Sequence, residues 1–217
     1  MPHIKKMVLK YLIRKAIGIA NITIFRQVAK EKRLILKKSL LPSAKMLIFV
    51  LEAYIIYAMK TISINIPVTI KEESELTADE AKLVMEAKQA TYRSYAPYSH
   101  FSVGSAVMLA DGTTVSGSNQ ENAAYPSGLC SERTTVFYAN SQYPDIPVRR
   151  ICIVARGTDG LFLARPITPC GACRQVLLET ERRAGGNVEV LLYGTEYSYC
   201  LRSIKDLMPL TFDSSFL

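Results

Sequence analysis

Three of the five cysteines lie in two short motifs with the spacing of metal ligands. Cys130 is followed by Ser131 and Glu132, and forty residues later Cys170 and Cys173 form a Cys-x-x-Cys. Two intervening residues at the start of a helix place both sulfurs on one side of its first turn, where they can bind one ion. Three protein ligands leave one tetrahedral position of zinc free for water, as in catalytic sites. The spacing therefore predicts a catalytic zinc site with Cys130, Cys170 and Cys173 as ligands.

Glu132 and Arg133 follow the first ligand closely and are predicted to assist the chemistry at the metal. Zinc lowers the pKa of a bound water from about 16 to about 7. Three thiolates weaken this effect because they make the site negative before the water ionises. We expect Arg133 to compensate by donating hydrogen bonds to a ligand sulfur. Glu132, two residues from Cys130, is predicted to carry protons beside the metal.

Two other interpretations of the cysteines stay open. Cys-x-x-Cys is common in structural zinc sites, and Cys152 or Cys200 could supply a fourth ligand, although a zinc ribbon needs two such pairs. The motif cysteines could also be uncoordinated core residues. Cys152 and Cys200 stand alone in apolar, strand-like segments and are predicted to be buried thiols.

Three helices are predicted around these motifs. Both cysteine motifs stand where a loop becomes a helix, and the unpaired N–H groups of a helix start stabilise thiolates. The helix after Cys170 is expected to end at Gly185-Gly186. An earlier helix is predicted to begin at Thr77, because Glu80 follows three residues later in a capping-box pattern.

Strand-like segments alternate with these helices. Asp111-Gly112 separates two β-prone runs, 101–110 and 113–118, and predicts a hairpin. Apolar runs at 148–155 and 188–193 are predicted to be buried strands. This order predicts an α/β fold, with a mixed β-sheet of about five strands covered by helices on both faces.

Three longer segments resemble the small homotetrameric cytidine deaminases. They are TYRSYAPYSHFSVGSAV at 91–107, SNQENAAYPSGLCSERTT at 118–135 and TPCGACRQVL at 168–177. Zinc deaminases share a His or Cys followed by x-Glu and then Pro-Cys-x-x-Cys, with the Glu as proton shuttle. The resemblance covers about residues 77–217. It implies a three-layer α/β/α fold, one zinc ion per subunit and a cytoplasmic homotetramer that acts in pyrimidine salvage.

The resemblance also implies roles for residues outside the metal motifs. In this family the Phe of Phe-x-Val-Gly, here Phe101, packs against the pyrimidine ring. The Asn and Glu of Asn-x-Glu-Asn-Ala, here Asn119 and Glu121, bind the ribose 3′-hydroxyl. Tyr125 and Phe212 match residues that a subunit lends to its neighbour's site.

Several of these positions also have a purely structural interpretation. Asn119 and Glu121 could be loop residues that satisfy backbone groups, and Phe101 could be a core residue. His100 is expected to be a structural or surface residue rather than a ligand. Ser131 stands where the family commonly has Ala, and we expect its backbone contacts to the base to survive the change.

The expected reaction is the hydrolytic deamination of cytidine and 2′-deoxycytidine to the uridines, with release of ammonia. The substrate is therefore a small nucleoside. One alternative is the deamination of a related base, nucleotide or nucleoside analogue. A more distant alternative is a non-catalytic protein that binds zinc or nucleic acid.

The charge of the chain is unevenly distributed. Its 217 residues carry a formal charge of +8, with a pI near 9.2. Residues 1–58 hold twelve Lys or Arg and two acids, or +10, which leaves −2 for residues 59–217. The positive charge belongs to the front of the chain, and the rest shows no basic and aromatic pattern for nucleic acid. We therefore expect no nucleic-acid partner.

The front segment, 1–58, is predicted to be a basic N-terminal extension. Its apolar run at 46–59 is interrupted by an acid and is too short for a stable membrane span. Three interpretations stay open: a true start at Met59, a targeting segment, or a basic helix that touches a membrane or nucleic acid. The remainder is predicted to divide into an extended lead-in, 59–76, and a zinc-dependent deaminase domain, 77–217.

Overall fold

Six strands and three α-helices build the part of the chain that the computed structural model describes, residues 62–217. The predicted extension 1–58 and the alternative start at Met59 lie outside the described residues. The strands are β1 (Thr69–Lys71), β2 (Ser102–Leu109), β3 (Thr114–Ser118), β4 (Val148–Arg156), β5 (Glu189–Leu192) and β6 (Ser198–Leu201). The α-helices are α1 (Ala78–Ala90), α2 (Ser131–Gln142) and α3 (Gly171–Arg183). Short 3₁₀ helices span Glu73–Glu75, Thr91–Arg93, Tyr125–Ser127, Ile204–Leu207 and Ser214–Phe216.

The strands form one mixed sheet in the order β1-β6-β5-β4-β2-β3. Only β4 and β5 run parallel, with α3 in the connection between them, and the other neighbours are antiparallel. The mixed sheet is confirmed, with six strands rather than about five. Four of the strands correspond to the segments predicted above, and the two that were not located are β1, three residues long, and β6, whose middle residues are only half buried. Neither has the apolar run that marks an inner strand.

The helices cover the two faces of the sheet separately, as predicted. Alternate residues of a strand point to opposite faces. Cys152 and Val154 of β4 lie in a cluster with Leu83 of α1, while Ile151 and Ile153 lie in a second cluster with residues of α2 and α3. The fold is therefore a three-layer α/β/α sandwich with one apolar core on each side of the sheet.

Helix α1 begins at the predicted capping box. The backbone N–H of Thr77 donates to Glu80 Oε2 at 2.8 Å, and the N–H of Glu80 donates to Thr77 Oγ1 at 3.3 Å. The helix then lies very close to β2, because a Cβ atom at Gly104 would stand 2.1 Å from the carbonyl oxygen of Ala87. Position 104 therefore accepts only glycine without moving the helix.

The predicted hairpin turn joins β2 and β3. Gly112 has φ 86, a conformation that glycine adopts without steric penalty.

Within residues 62–217, no helix is both long and apolar enough to cross a membrane.

Candidate active site

The three predicted ligand cysteines come together at the starts of α2 and α3. Their sulfur atoms all lie within 4.8 Å of one another, and Cys130 Sγ is 3.8 Å from Cys170 Sγ. Zinc–sulfur bonds of about 2.3 Å in a tetrahedron place two sulfurs about 3.8 Å apart. The donor set and its spacing therefore fit a zinc ion held by Cys130, Cys170 and Cys173.

Two of the sulfurs belong to the residues that begin the helices. Cys130 is the N-cap of α2 and Cys170 is the N-cap of α3, and neither side chain caps the backbone of its helix. Both sulfurs therefore remain available to a metal. Each also sits at the positive end of a helix dipole.

The thiols influence one another strongly. The neighbouring Cys173 lowers the pKa of the Cys130 thiol to about 5, and Arg133 acts in the same direction. Conversely, Cys130 and burial raise the pKa of Cys173. At neutral pH Cys130 is therefore a thiolate, the form that binds zinc.

Glu132 is buried directly beside the sulfurs, with only 4% of its surface exposed. Burial raises the pKa of its carboxyl, and the charge of Cys130 acts in the same direction. The hydroxyl of Ser131 donates a hydrogen bond of 3.1 Å to Glu132 Oε2. A buried carboxyl with a raised pKa holds a proton more readily than an exposed one, which suits a group that accepts and donates protons.

Arg133 lies next to the cluster, where its guanidinium and the Cys130 thiol influence each other. Its Nη2 donates to the carbonyl of Gly128 at 3.4 Å. Its Nε is buried and has no partner among the described residues. The guanidinium is nevertheless close enough to Cys130 to lower the pKa of that thiol. The predicted hydrogen bond from Arg133 to a ligand sulfur stays a prediction.

Cys152 and Cys200 lie on the other face of the sheet. They stand in register across β4, β5 and β6 and pack in the cluster that contains α1. The predicted burial of Cys152 is complete, whereas Cys200 is half buried. Since α2 and α3 cover the opposite face, neither thiol joins the three-cysteine cluster as a fourth ligand.

Asn119 holds the start of β2 and the backbone of Phe101. Its Oδ1 accepts from the N–H of Val103 at 2.8 Å and also from the hydroxyl of Ser94. Its Nδ2 donates to the carbonyl of Phe101 at 2.9 Å. These are the backbone contacts that the structural interpretation of Asn119 expected. Its contact with the ribose stays a prediction.

Glu121 is bound to the loop that precedes Phe101. Its Oε2 accepts from the backbone N–H groups of Tyr98, at 2.9 Å, and Ser99, at 3.3 Å. The side chain of Ser99 and these backbone groups lower the pKa of the carboxyl. Glu121 is therefore a carboxylate at neutral pH, and its role towards substrate also stays a prediction.

Tyr125 and Phe212 are both exposed aromatic residues. Tyr125 is 74% exposed and meets the ring of Tyr98 edge to face, with centroids 6.1 Å apart. Phe212 is 58% exposed and stacks on Phe216. Neither ring is covered by the described residues, and their predicted use by a neighbouring subunit stays a prediction.

A buried pair of hydroxyls between α2 and the sheet was not identified from the sequence. Ser105 Oγ of β2 and Thr135 Oγ1 of α2 are 2.6 Å apart, and Thr135 Oγ1 also donates to the carbonyl of Ser131 at 2.9 Å. A Cβ at Gly117 would stand 2.7 Å from Thr135 Oγ1. The sequence offered one indication of this contact. Gly117 lies inside a strand-like run, and a glycine there often marks a place where another segment packs closely against the strand.

The site combines three sulfurs whose spacing fits a zinc ion with a buried carboxyl of raised pKa, and zinc hydrolases use groups of these types. A sequence model of the cytidine and deoxycytidylate deaminase zinc-binding region matches residues 77–184. The cytidine deaminase of Sporosarcina psychrophila is 36% identical over 139 residues, which cover 64% of this chain and 95% of that protein. The cytidine deaminase of Halalkalibacterium halodurans is 43% identical over 101 residues, 46% of this chain and 71% of that protein.

A solved structure agrees with these sequence matches. The crystal structure of cytidine deaminase from Burkholderia pseudomallei is 36% identical, with a TM-score of 0.53 over 63% of this chain and 100% of that chain. This chain belongs to the cytidine and deoxycytidylate deaminase family. It is a zinc-dependent enzyme, and the metal motifs of residues 130–132 and 170–173 lie within the matched region.

Proposed function

We propose that this protein hydrolyses cytidine and 2′-deoxycytidine to uridine and 2′-deoxyuridine, with release of ammonia. The observation that carries the proposal is the buried carboxyl of Glu132 beside three convergent sulfurs in a chain of this family. The cytidine deaminases that it resembles provide the substrate class. The expected role in the cell is pyrimidine salvage.

Cys130, Cys170 and Cys173 would hold the zinc ion. When bound there, zinc supplies a water molecule of lowered pKa for attack on C4 of the base. Glu132 takes one proton from the attacking water and donates it to N3 of the ring as C4 is attacked. It then takes a second proton from the attacking water and delivers it to the amine, which leaves as ammonia. One water is consumed for each base.

Four residues are proposed to bind the nucleoside. Phe101 packs against the pyrimidine ring, and Asn119 and Glu121 bind the ribose 3′-hydroxyl. The backbone of Ser131 contacts the base. Support comes from the loops that carry them, since Asn119 is hydrogen-bonded to the backbone of Phe101 and Glu121 to the same loop.

The active form is proposed to be a cytoplasmic homotetramer. Tyr125 and Phe212 would each complete the site of a neighbouring subunit. Their exposed rings support this arrangement, because they are available for contact with a neighbouring subunit. The expected boundaries are an extension at 1–58, a lead-in at 59–76 and the deaminase domain at 77–217.

A nucleotide is the second substrate to be tested, because the matched family includes deoxycytidylate deaminases. Glu121 is a carboxylate near the proposed ribose position, and its charge would repel a 5′-phosphate. We therefore expect cytidine and deoxycytidine to be preferred over dCMP.

The experiment uses the purified full-length chain with equal concentrations of cytidine, deoxycytidine and dCMP. The loss of ultraviolet absorbance and the release of ammonia are measured in the same reaction. The zinc content per chain is measured on the same protein sample. Both nucleosides should be turned over with one ammonia each, while Glu132→Gln should be nearly inactive. A clear preference for dCMP would contradict the assignment of Glu121. Salt-dependent RNA binding without ammonia would favour the non-catalytic alternative.

A further inference from the structure

The loop before Phe101 contains an unusual backbone conformation. His100 has φ 55, and it is the one non-glycine residue with positive φ among residues 62–217. This left-handed region is disfavoured for most L-residues, is tolerated by Asn, Asp and His, and is strongly disfavoured for β-branched residues. The conformation occurs one residue before the side chain proposed to contact the pyrimidine.

Hydrogen bonds within the loop fix this conformation. The backbone N–H of His100 donates to the carbonyl of Ala96 at 3.0 Å, which closes a tight turn. The N–H of Phe101 donates to Ser99 Oγ at 3.1 Å. The turn ends at His100 and β2 begins at Ser102, so the backbone of residue 100 sets the position from which Phe101 extends.

The loop that carries Asn119 and Glu121 also binds this turn. Glu121 accepts from the N–H groups of Tyr98 and Ser99, and Asn119 donates to the carbonyl of Phe101. His100 therefore lies between two anchored segments. Its side chain is exposed, and its backbone N–H makes the hydrogen bond that closes the turn.

We propose that His100 is a positioning residue, whose left-handed backbone places Phe101 for the nucleoside and so sets nucleoside affinity without taking part in the chemistry. This inference rests on the proposed function of the site. A residue that resists positive φ would allow the turn to relax, and the substrate would then have to restore it on binding. The effect should appear in KM and leave kcat nearly unchanged.

Three substitutions in the full-length protein test this idea. His100→Asn removes the imidazole but tolerates the left-handed backbone, so its KM for cytidine should stay within about twofold of the parent value. His100→Val should raise KM about tenfold with kcat within about twofold, and His100→Ala should lie between them. Zinc content and melting temperature are measured for each variant, and His100→Ala keeps the comparison possible if His100→Val folds poorly.

Direct binding provides a readout independent of turnover. In a Glu132→Gln background, titration calorimetry with cytidine should give the same order of dissociation constants, with Asn the tightest and Val the weakest. Equal affinity in the Asn and Val variants, whether both retained or both weakened, would overturn the role of the backbone. If the parent protein neither deaminates nor binds cytidine, the proposed function itself fails. An active parent with an unaffected His100→Val variant overturns only this inference.

Discussion

Cys130 Sγ and Cys170 Sγ lie 3.8 Å apart although the two residues are forty positions apart in the chain. Each sulfur belongs to the N-cap of its helix, so the packing of α2 beside α3 sets their separation. The ligands are thus arranged by the fold itself. A metal that binds this arrangement, and not the unfolded chain, also stabilises it.

Loss of one ligand should therefore release the metal. Cys170→Ser is expected to weaken zinc binding by at least about 100-fold and to abolish detectable deamination, because two thiolates bind zinc much less tightly than three. Zinc per purified chain and cytidine turnover are the measurements.

Cys200→Ser is the matched control, since Cys200 lies on the opposite face of the sheet. It should retain full zinc and turnover. Full zinc in Cys170→Ser would contradict the ligand assignment.

Removal of the proton carrier should separate chemistry from metal binding. Glu132→Gln keeps the size of the side chain but cannot transfer protons, so kcat should fall by about 1,000-fold or more while zinc content is unchanged. Glu179→Gln changes an exposed glutamate on α3 and should behave like the parent. Near-normal turnover in Glu132→Gln would exclude the proposed role of this carboxyl.

The hydroxyl of Ser131 should contribute modestly to the rate. Ser131→Ala removes the hydrogen bond to Glu132 and is expected to lower kcat about fivefold, the effect of one neutral hydrogen bond, with zinc retained. Ser141→Ala is the control, because Ser141 is an exposed serine on the same helix. An unchanged kcat in Ser131→Ala would show that this bond does not orient the carboxyl during turnover.

The ion pair that joins β1 to α1 should give a pH-dependent contribution to stability. Burial opposes the charge of Glu80, but hydrogen bonds from Lys71 and Thr77 outweigh burial and lower its pKa below the ordinary 4.5. Because the folded pKa is the lower one, the contribution is fully present above about pH 4.5 and is lost as pH falls through the folded pKa.

Glu80→Gln keeps an acceptor for the helix cap but removes the charge. It should lower the free energy of unfolding at pH 7 by about 1 kcal/mol, and the difference should shrink as the pH falls through the folded pKa of Glu80. Urea denaturation with excess chelator excludes metal release from the comparison. Glu86→Gln on the same helix is the control. A difference that does not change with pH as the carboxyl becomes protonated would contradict the charge-based explanation.

Glu181 should be important for stability and not for chemistry. Its buried carboxylate accepts from the backbone N–H groups of Val188 and Ile204 and from the hydroxyl of Ser203. Glu181→Ala leaves these donors unpaired and should lower the free energy of unfolding by about 3 kcal/mol. The free energies of unfolding of Glu181→Ala and of the control Glu179→Ala are compared by urea denaturation. Equal stability of the two variants would contradict this account.

The sequence was most informative where a residue type is tied to one local geometry. The capping box at Thr77, the turn at Gly112 and the cysteines at two helix starts each predicted the correct local structure. Such features depend on neighbours within a few residues, so they can be read without knowledge of the fold.

Features that depend on distant partners were predicted less well. β1 and β6 form because each pairs with a neighbouring strand, β1 with β6 and β6 also with β5, and nothing in either segment alone requires a strand. Similarly, the hydroxyl pair of Ser105 and Thr135 depends on how closely α2 approaches the sheet. The sequence motif suggested that Asn119 binds substrate. Which backbone groups it also holds, the N–H of Val103 and the carbonyl of Phe101, became visible only in the folded loop.

The sheet separates the thiols of this protein into two chemically distinct groups. Cys130 and Cys170 are accessible at one surface, while Cys152 is enclosed in the core beneath α1. A small alkylating reagent should therefore modify the first two rapidly when zinc has been removed and slowly when it is present, while Cys152 reacts only after unfolding. Mass spectrometry of alkylated peptides can thus report metal occupancy and global unfolding in one sample.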